Sequence, residues 1–412
     1  MTAEFEFAVI GAGVVGLTIA HRLATDGHEV AVIDPNPPGS GASWGNAGTV
    51  ADYAVQPVGT PDVLRRLPSL LFDRSSPLAL RRAALPALAP WLLRFARQSL
   101  PGAARRNAAA LAAILADASD RWRDLAAGIG VEGLMRDHGC LYLYDRPEQR
   151  RAAEVDLAMR RSLGIRVEML SADELKQLEP GLSEMAGGAA FFPGARFVTD
   201  PGKMMAALAD VAWRSGATRL TARAERIGRV AGGISVSGPD LTLHARRVVI
   251  AAGAHSRALA RIAGDRIPLD TERGYHVEFD MGTPLLLRPA CPTARGFYLC
   301  PMEGRLRVAG TVELGGLGAP PSPHRIALLE RGARLIFPDL PAPARSWMGF
   351  RPSMPDSLPV IGHSAGGGDV LHAFGHGHIG LTLAPVTAAI IAALIAGRAP
   401  PVDIAPFRAT RF

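Results

Sequence analysis

The sequence predicts an α/β protein in which a discontinuous parallel-sheet domain of the dinucleotide-binding type encloses an α+β domain with an antiparallel sheet. Three observations point there. Residues 5–34 read as strand, glycine turn, helix and strand; a strand apolar on both faces recurs far downstream at Arg247 to Ala252; and period-two alternation dominates from Ile267 to Arg307.

Taken in order, Phe5 to Ile10 is the first strand, Val14 to about Asp26 the first helix and Glu29 to Asp34 the second strand. The turn between strand and helix is Gly11-Ala12-Gly13-Val14-Val15-Gly16. Gly11 permits the tight turn, Gly13 lets a pyrophosphate approach the backbone, and Gly16 allows close helix–strand packing, with the helix dipole favouring the anion. Asp34 closes the second strand where a carboxylate can accept a ribose hydroxyl, and Pro35, Asn36, Pro37 and Pro38 follow, with none of the basic residues a 2′-phosphate would attract. A glycine-rich loop runs from Gly39 to Gly48. From Pro57 to about Arg123 the spacing turns helical, and several prolines divide it into three or four helices.

Gly139 to Asp145 reads as a strand, Ser171 to Glu174 as a capping box, and Gly188 to Phe192 as another strand. Asp200-Pro201 opens a helix to about Ser215, with proline at its first position. Strands follow at Thr218 to Leu220, Gly233 to Ser237 and Arg247 to Ala252, the last ending at Ala252-Gly253. Gly274 to Phe279 and Phe297 to Leu299 carry the antiparallel alternation. The two kinds of sheet divide the chain into residues 1–56, 198–267 and 345–412, the discontinuous Rossmann-like domain, and residues 57–197 and 268–344, the substrate-binding domain.

Composition narrows the function. The chain has 412 residues, enough for two packed domains, with 48% hydrophobic and 20% charged residues, which excludes disorder. The net charge of +7 is compatible with an anionic partner, but no helix-turn-helix, zinc-finger or RNA-binding signature accompanies it, so no nucleic-acid partner is expected. Between Asp62 and Gln98, arginines that include Arg65, Arg66, Arg81, Arg82, Arg94 and Arg97 interleave with Leu, Phe and Trp. This is either a solvated helical face or a peripheral membrane contact. Cys140, Cys291 and Cys300 lack CxxC spacing, so neither a disulfide framework nor a metal site is indicated. The acidic start lacks the basic, apolar pattern of a signal peptide, and a cytoplasmic protein, at most touching the inner membrane face, is expected. Ile379 to Gly397 is uncharged and long enough to span a bilayer, but its threonines and Pro385 favour a buried helix.

A second loop-then-helix arrangement selects the cofactor. Pro359 to Gly362, and then Gly375-His376-Gly377-His378-Ile379-Gly380-Leu381-Thr382, precede that apolar helix, and a second helix N-terminus suits the negative charge of a reduced flavin. FAD is therefore expected rather than NAD.

The first 48 residues, the strand ending at Gly253, and Gly349-Phe350-Arg351-Pro352 through Asp356 to Gly362 resemble the D-amino acid oxidase superfamily over essentially the whole chain. The loop Ser43-Trp44-Gly45-Asn46-Ala47-Gly48 and the run Asp73 to Leu80 are most similar to its bacterial D-amino acid dehydrogenases. The resemblance implies FAD-dependent oxidative deamination of a small D-amino acid by hydride transfer from the α-carbon to flavin N5. Arg351 matches the arginine that binds the substrate carboxylate, as a planar two-donor fork can. Tyr275 falls where a polar group lies over the substrate, and His276 beside it leaves room for a D-proline or hydroxy-D-proline type of substrate. His376 and His378 are either flavin neighbours or loop residues that bond the backbone. No cysteine falls at the covalent attachment point of the sarcosine oxidase branch, so the FAD is expected to be non-covalent. The resemblance to dehydrogenases implies a quinone or an electron-transfer protein as the electron acceptor. The alternatives are a glycine- or sarcosine-type oxidase using oxygen, and a non-catalytic flavin-binding subunit.

Overall fold

Apolar side chains on both faces put Glu4–Ile10 at the middle of a sheet, where Ala8 and Val9 are fully buried. Val30–Ile33 and Leu241–Ile250 flank it in parallel. Thr218–Leu220 extends the sheet on one side, and Gly367–Phe374 joins Leu241–Ile250 in parallel on the other. The computed structural model describes residues 4–72 and 76–412. Residues 73–75, which open the run from Asp73 to Leu80, lie outside them.

Helices cover both faces of this sheet. The helices Val14–Thr25, Pro201–Arg214 and Gly380–Ile395 share one apolar core, and Ser256–Ala263 belongs to a second core on the opposite face. In Gly380–Ile395 the side chains of Leu383, Val386, Ile390 and Ile391 are fully buried, each contributing roughly 1.5–3 kcal/mol. Among the described residues no helix is long and apolar enough to cross a membrane. The turn chemistry expected from the sequence is present: Asp200 Oδ1 caps Lys203 N–H at 3.0 Å, and Ser171 and Glu174 form their reciprocal box.

The second sheet runs Arg345–Ser353, Asp270–Asp280, Arg305–Leu314, Phe297–Met302, Ala290–Pro292, Cys140–Leu143, Ala189–Phe192 and Glu168–Leu170. Leu78–Leu80 adds in parallel to Arg305–Leu314. Helix Pro323–Arg334 shares the apolar core on one face of this sheet, leaving the other to face the first domain. Four α-helices (Pro61–Phe72, Leu85–Gln98, Pro101–Leu115 and Ala118–Gly128) fill the span expected to hold three or four. One boundary moves. Arg345–Ser353, grouped by sequence with the nucleotide domain, is the edge strand of the second sheet, paired with Asp270–Asp280 so that Arg351 faces Glu272 and Trp347 faces His276. Its short Gly-Phe-Arg-Pro motif gives no hint of a partner 75 residues upstream.

Candidate functional site

A cavity of about 980 Å³ lies between the two sheets, at the upper end of the range for ligand sites. At one end is the glycine turn. Gly11 has φ +113°, and a Cβ there would fall 2.4 Å from Ala251 O; at Gly16 it would fall 1.9 Å from Gly11 O. Those two positions are closed by packing, whereas a Cβ at Gly13 would meet nothing nearer than Ser43 Oγ at 3.3 Å, which leaves the helix N-terminus open. Val14 N–H donates to Ser43 Oγ at 2.9 Å, and Asp34 is fixed by Ala12 N–H and Asn36 N–H, each at 2.9 Å.

The cavity brings together most of the residues expected from the sequence: Gly11, Gly13, Val14, Val15, Asp34, Pro35, Ser43, Gly45 to Gly48, Ala252, Gly253, and Gly377 to Leu381. Gly16, Trp44, Gly375 and Thr382 support that wall without lining it. Thr382 Oγ1 accepts from Ala51 N–H at 3.0 Å, tying the C-terminal helix to the end of the Ser43–Gly48 loop. A fully buried ion pair clamps the same loop. Arg307 Nε meets Glu278 at 2.7 Å while its Nη1 donates to the carbonyls of Trp44 and Asn46, at 3.1 and 2.6 Å. Burial alone would raise the Glu278 pKa, but the guanidinium of Arg307 overrides it and the carboxyl titrates below its usual range.

Arg351 lies in the same cavity wall. Its side chain crosses the neighbouring strand at Gly274, where a Cβ would fall 2.4 Å from Nη2, and its Nη1 donates to Thr311 O at 3.0 Å. Thr311 holds φ +55°, a left-handed conformation costly for a β-branched residue, and thereby contributes its carbonyl to the guanidinium. Burial lowers the Arg351 pKa and the buried Glu272 carboxyl beside it opposes that shift; burial in turn raises Glu272, against the pull of Arg351. The guanidinium stays charged, with donors beyond the one committed to Thr311.

The histidines divide. His378 is exposed on the cavity wall, and enclosure in the cleft, then the Arg351 charge, lowers its pKa below the usual imidazole value. His376 Nε2 contacts Thr387 Oγ1 at 3.0 Å, and burial takes its pKa to about 3. Gly377 N–H donates to Pro352 O at 2.8 Å, so this loop and the Arg351 strand are joined through the backbone. His276 is fully buried behind the Ser43–Gly48 loop, stacked on Trp347 at 5.1 Å with Nδ1 donating to Gly45 O at 3.0 Å. Burial, then Arg307, lowers its pKa to about 4. Tyr275 alternates to the sheet face opposite Gly274. Its hydroxyl donates to Glu313 at 3.1 Å and accepts from Ser322 N–H at 3.2 Å. Tyr275 is part of the cavity lining, whereas His276 is not.

Sequence reasoning missed Thr311, Trp347 and the tyrosines Tyr53, Tyr142 and Tyr298 in the cavity wall. The alternation of Phe297–Met302 was the one available signal, since it places Tyr298 on the face opposite Phe297 and Leu299. Cys140, Cys291 and Cys300 are buried and absent from the wall, with burial raising Cys140 to about 12 and the other two further.

An open glycine cradle at a helix N-terminus, an aspartate at the end of the second strand and a half-buried arginine in the same cavity wall are features of a dinucleotide-dependent oxidoreductase. The chain belongs to the DAO family of FAD dependent oxidoreductases, whose sequence model matches residues 6–394. It is an enzyme that uses FAD. It is 36% identical to a D-amino-acid oxidase of Bradyrhizobium diazoefficiens, covering 98% of each chain. It is 32% identical to D-amino acid dehydrogenase 2 of Ralstonia nicotianae, covering 98% of this chain and all of the relative. Its fold superposes on the crystal structure of glycine oxidase from Geobacillus kaustophilus with a TM-score of 0.80 and 25% identity over the whole of both chains.

Proposed function

We propose that the enzyme oxidises the α-carbon of a small D-amino or imino acid, with a D-proline or hydroxy-D-proline type of substrate in range. The observation that carries this reading is Arg351, a guanidinium set in the cavity wall by Gly274, Thr311 and Glu272 with donors left for a carboxylate. The names of the relatives from Bradyrhizobium and Ralstonia support a D-amino acid. FAD, held non-covalently, supplies the hydride acceptor at N5. The chain's own residues place the substrate: Arg351 grips the carboxylate, fixing Cα, and His378, neutral at pH 7, adds no charge against the substrate nitrogen. The α-hydrogen leaves as hydride while the amine lone pair forms the C=N bond. The imine then takes up water to give a 2-oxo acid and ammonia, or persists as a cyclic imine.

The acceptor in this reading is a quinone or an electron-transfer protein, met by a cytoplasmic enzyme at the inner membrane face. Support comes from Leu85–Leu115, where Leu93 and Leu100 are exposed among Arg94, Arg97, Arg105 and Arg106, with no Asp or Glu anywhere from Ser76 to Ala116. Arg81 is not free for that role, being paired with Glu313 at 2.8 Å. The likeness to glycine oxidase favours a second reading, a glycine or sarcosine oxidase that passes electrons to oxygen. Anaerobic bleaching of the flavin by D-amino acids, D-proline, L-amino acids, sarcosine and glycine, followed by air, separates them. Bleaching by D-substrates with slow recovery in air is expected. Bleaching only by sarcosine, glycine or L-forms would overturn the proposal, and fast recovery would transfer the acceptor role to oxygen.

A further inference from the structure

Three of the chain's five tyrosines meet at one point of the cavity wall. Tyr298 Oη donates to Tyr142 Oη at 3.2 Å, Tyr53 Oη lies 3.4 Å from Tyr298 Oη, and Tyr53 Oη donates to Cys140 Sγ at 3.1 Å. The residues come from a loop and two strands, 89 and 156 positions apart, so no local structural requirement explains their convergence. Arg160 braces the group from behind, its guanidinium 5.6 Å from the Tyr142 ring centre and bonded to Tyr53 O.

The protons of this cluster can be counted. With Tyr298 donating to Tyr142 and Tyr53 to the thiol, two hydroxyl protons are used and that of Tyr142 is left over, on a half-buried ring that lines the cavity. If the hydroxyls rotate so that Tyr142 donates to Tyr298, Tyr298 to Tyr53 and Tyr53 to Cys140, all three are used and Tyr142 offers only lone pairs. The cluster can therefore present either a donor or an acceptor without moving a heavy atom. Burial pushes Tyr142 up to about 12 and the other two phenols higher, so it is uncharged at neutral pH.

Its position relative to Arg351 is set by the sheet. The guanidinium bonds Thr311 O on Arg305–Leu314, and Tyr298 stands on the adjacent strand opposite Ala309, roughly 5 Å across and about 7 Å along from Thr311. An amino acid held by its carboxylate at Arg351 would extend its side chain along the same cavity wall toward the hydroxyls. We infer that Tyr142, Tyr298 and Tyr53 form the subsite for the substrate side chain, and that it selects a neutral group able both to donate and to accept a hydrogen bond, a hydroxyl or a carboxamide. This rests on the assignment of Arg351 as the carboxylate anchor.

Isosteric pairs test it: anaerobic flavin reduction of the holoenzyme by D-threonine against D-valine and by D-asparagine against D-leucine, in the wild type, Tyr142→Phe and Tyr298→Phe. Each substitution keeps the ring, and bound FAD reports folding. The wild type is expected to favour the polar member of at least one pair by about tenfold in kcat/KM, with the pair showing which group is read, and both variants to bring that ratio toward one. No polar preference in either pair, or a preference that survives both variants, overturns the subsite. Reduction by none of these acids, while sarcosine or an L-acid does reduce the flavin, would instead remove the D-amino acid reading, and the subsite with it.

Discussion

A methyl group at position 274 would act first on Arg351, which supplies the three nearest atoms. The Cβ of Gly274→Ala would lie 2.4 Å from Nη2, 2.5 Å from Cζ and 2.8 Å from Nε of Arg351, and ordinary contact begins near 3.4 Å, so the guanidinium must move by about 1 Å. Gly274 does not occupy the left-handed region, so alanine fits the strand backbone, and the atoms displaced are the end of a flexible side chain. Folding should therefore suffer little. Catalysis should suffer more, because a 1 Å error in an anchoring group costs roughly a hundredfold, about 2.7 kcal/mol of barrier. Stopped-flow reduction of the flavin by the best D-amino acid, at matched FAD content, reads the effect. A variant with wild-type kcat/KM would refute the claim that the guanidinium position set by Gly274 governs substrate placement.

Other outcomes follow from the same geometry. Replacing Arg351 by methionine should lower kcat/KM at least a hundredfold while FAD stays bound, measured by flavin absorbance and steady-state kinetics. Arg307→Met should destabilise the fold by about 3 kcal/mol and loosen FAD, since it leaves Glu278 buried with only the flanking Arg305 and Arg345 and frees the carbonyls of Trp44 and Asn46; urea melts and FAD titration check both. His276 titrates near 4 when folded and near 6.5 when unfolded, so the unfolded chain binds the extra proton between those values and stability falls as pH drops through them. From pH 7 to pH 5 this one group should remove about 2 kcal/mol, a loss absent in His276→Phe when urea melts are compared at the two pH values.

What the sequence disclosed, and what it hid, has a physical basis. The glycines at 11, 13 and 16, Asp34 and the Gly375–Gly380 loop are legible because each local conformation demands a residue type within a few positions. Arg351 is legible through its Pro-Asp context. The Arg307–Glu278 clamp and the three tyrosines are not, because each depends on pairing between distant strands. Arg307 in a strand reads as an outward-facing charge, although it is fully buried. For the same reason Tyr275 and His276, neighbours in sequence, point to opposite faces of their strand. One is held by Glu313 and the other by Gly45, which the Glu-Arg-Gly-Tyr-His motif alone could not distinguish.

The central claim, that Arg351 in the FAD cavity fixes an α-amino acid by its carboxylate, is tested most directly by anaerobic flavin reduction with D-alanine and D-alaninamide side by side. The two differ only in the group offered to the guanidinium. The prediction is rapid reduction by the acid and reduction at least a hundredfold slower by the amide, with Arg351→Met abolishing the difference. Equal rates for acid and amide in the wild type would contradict it.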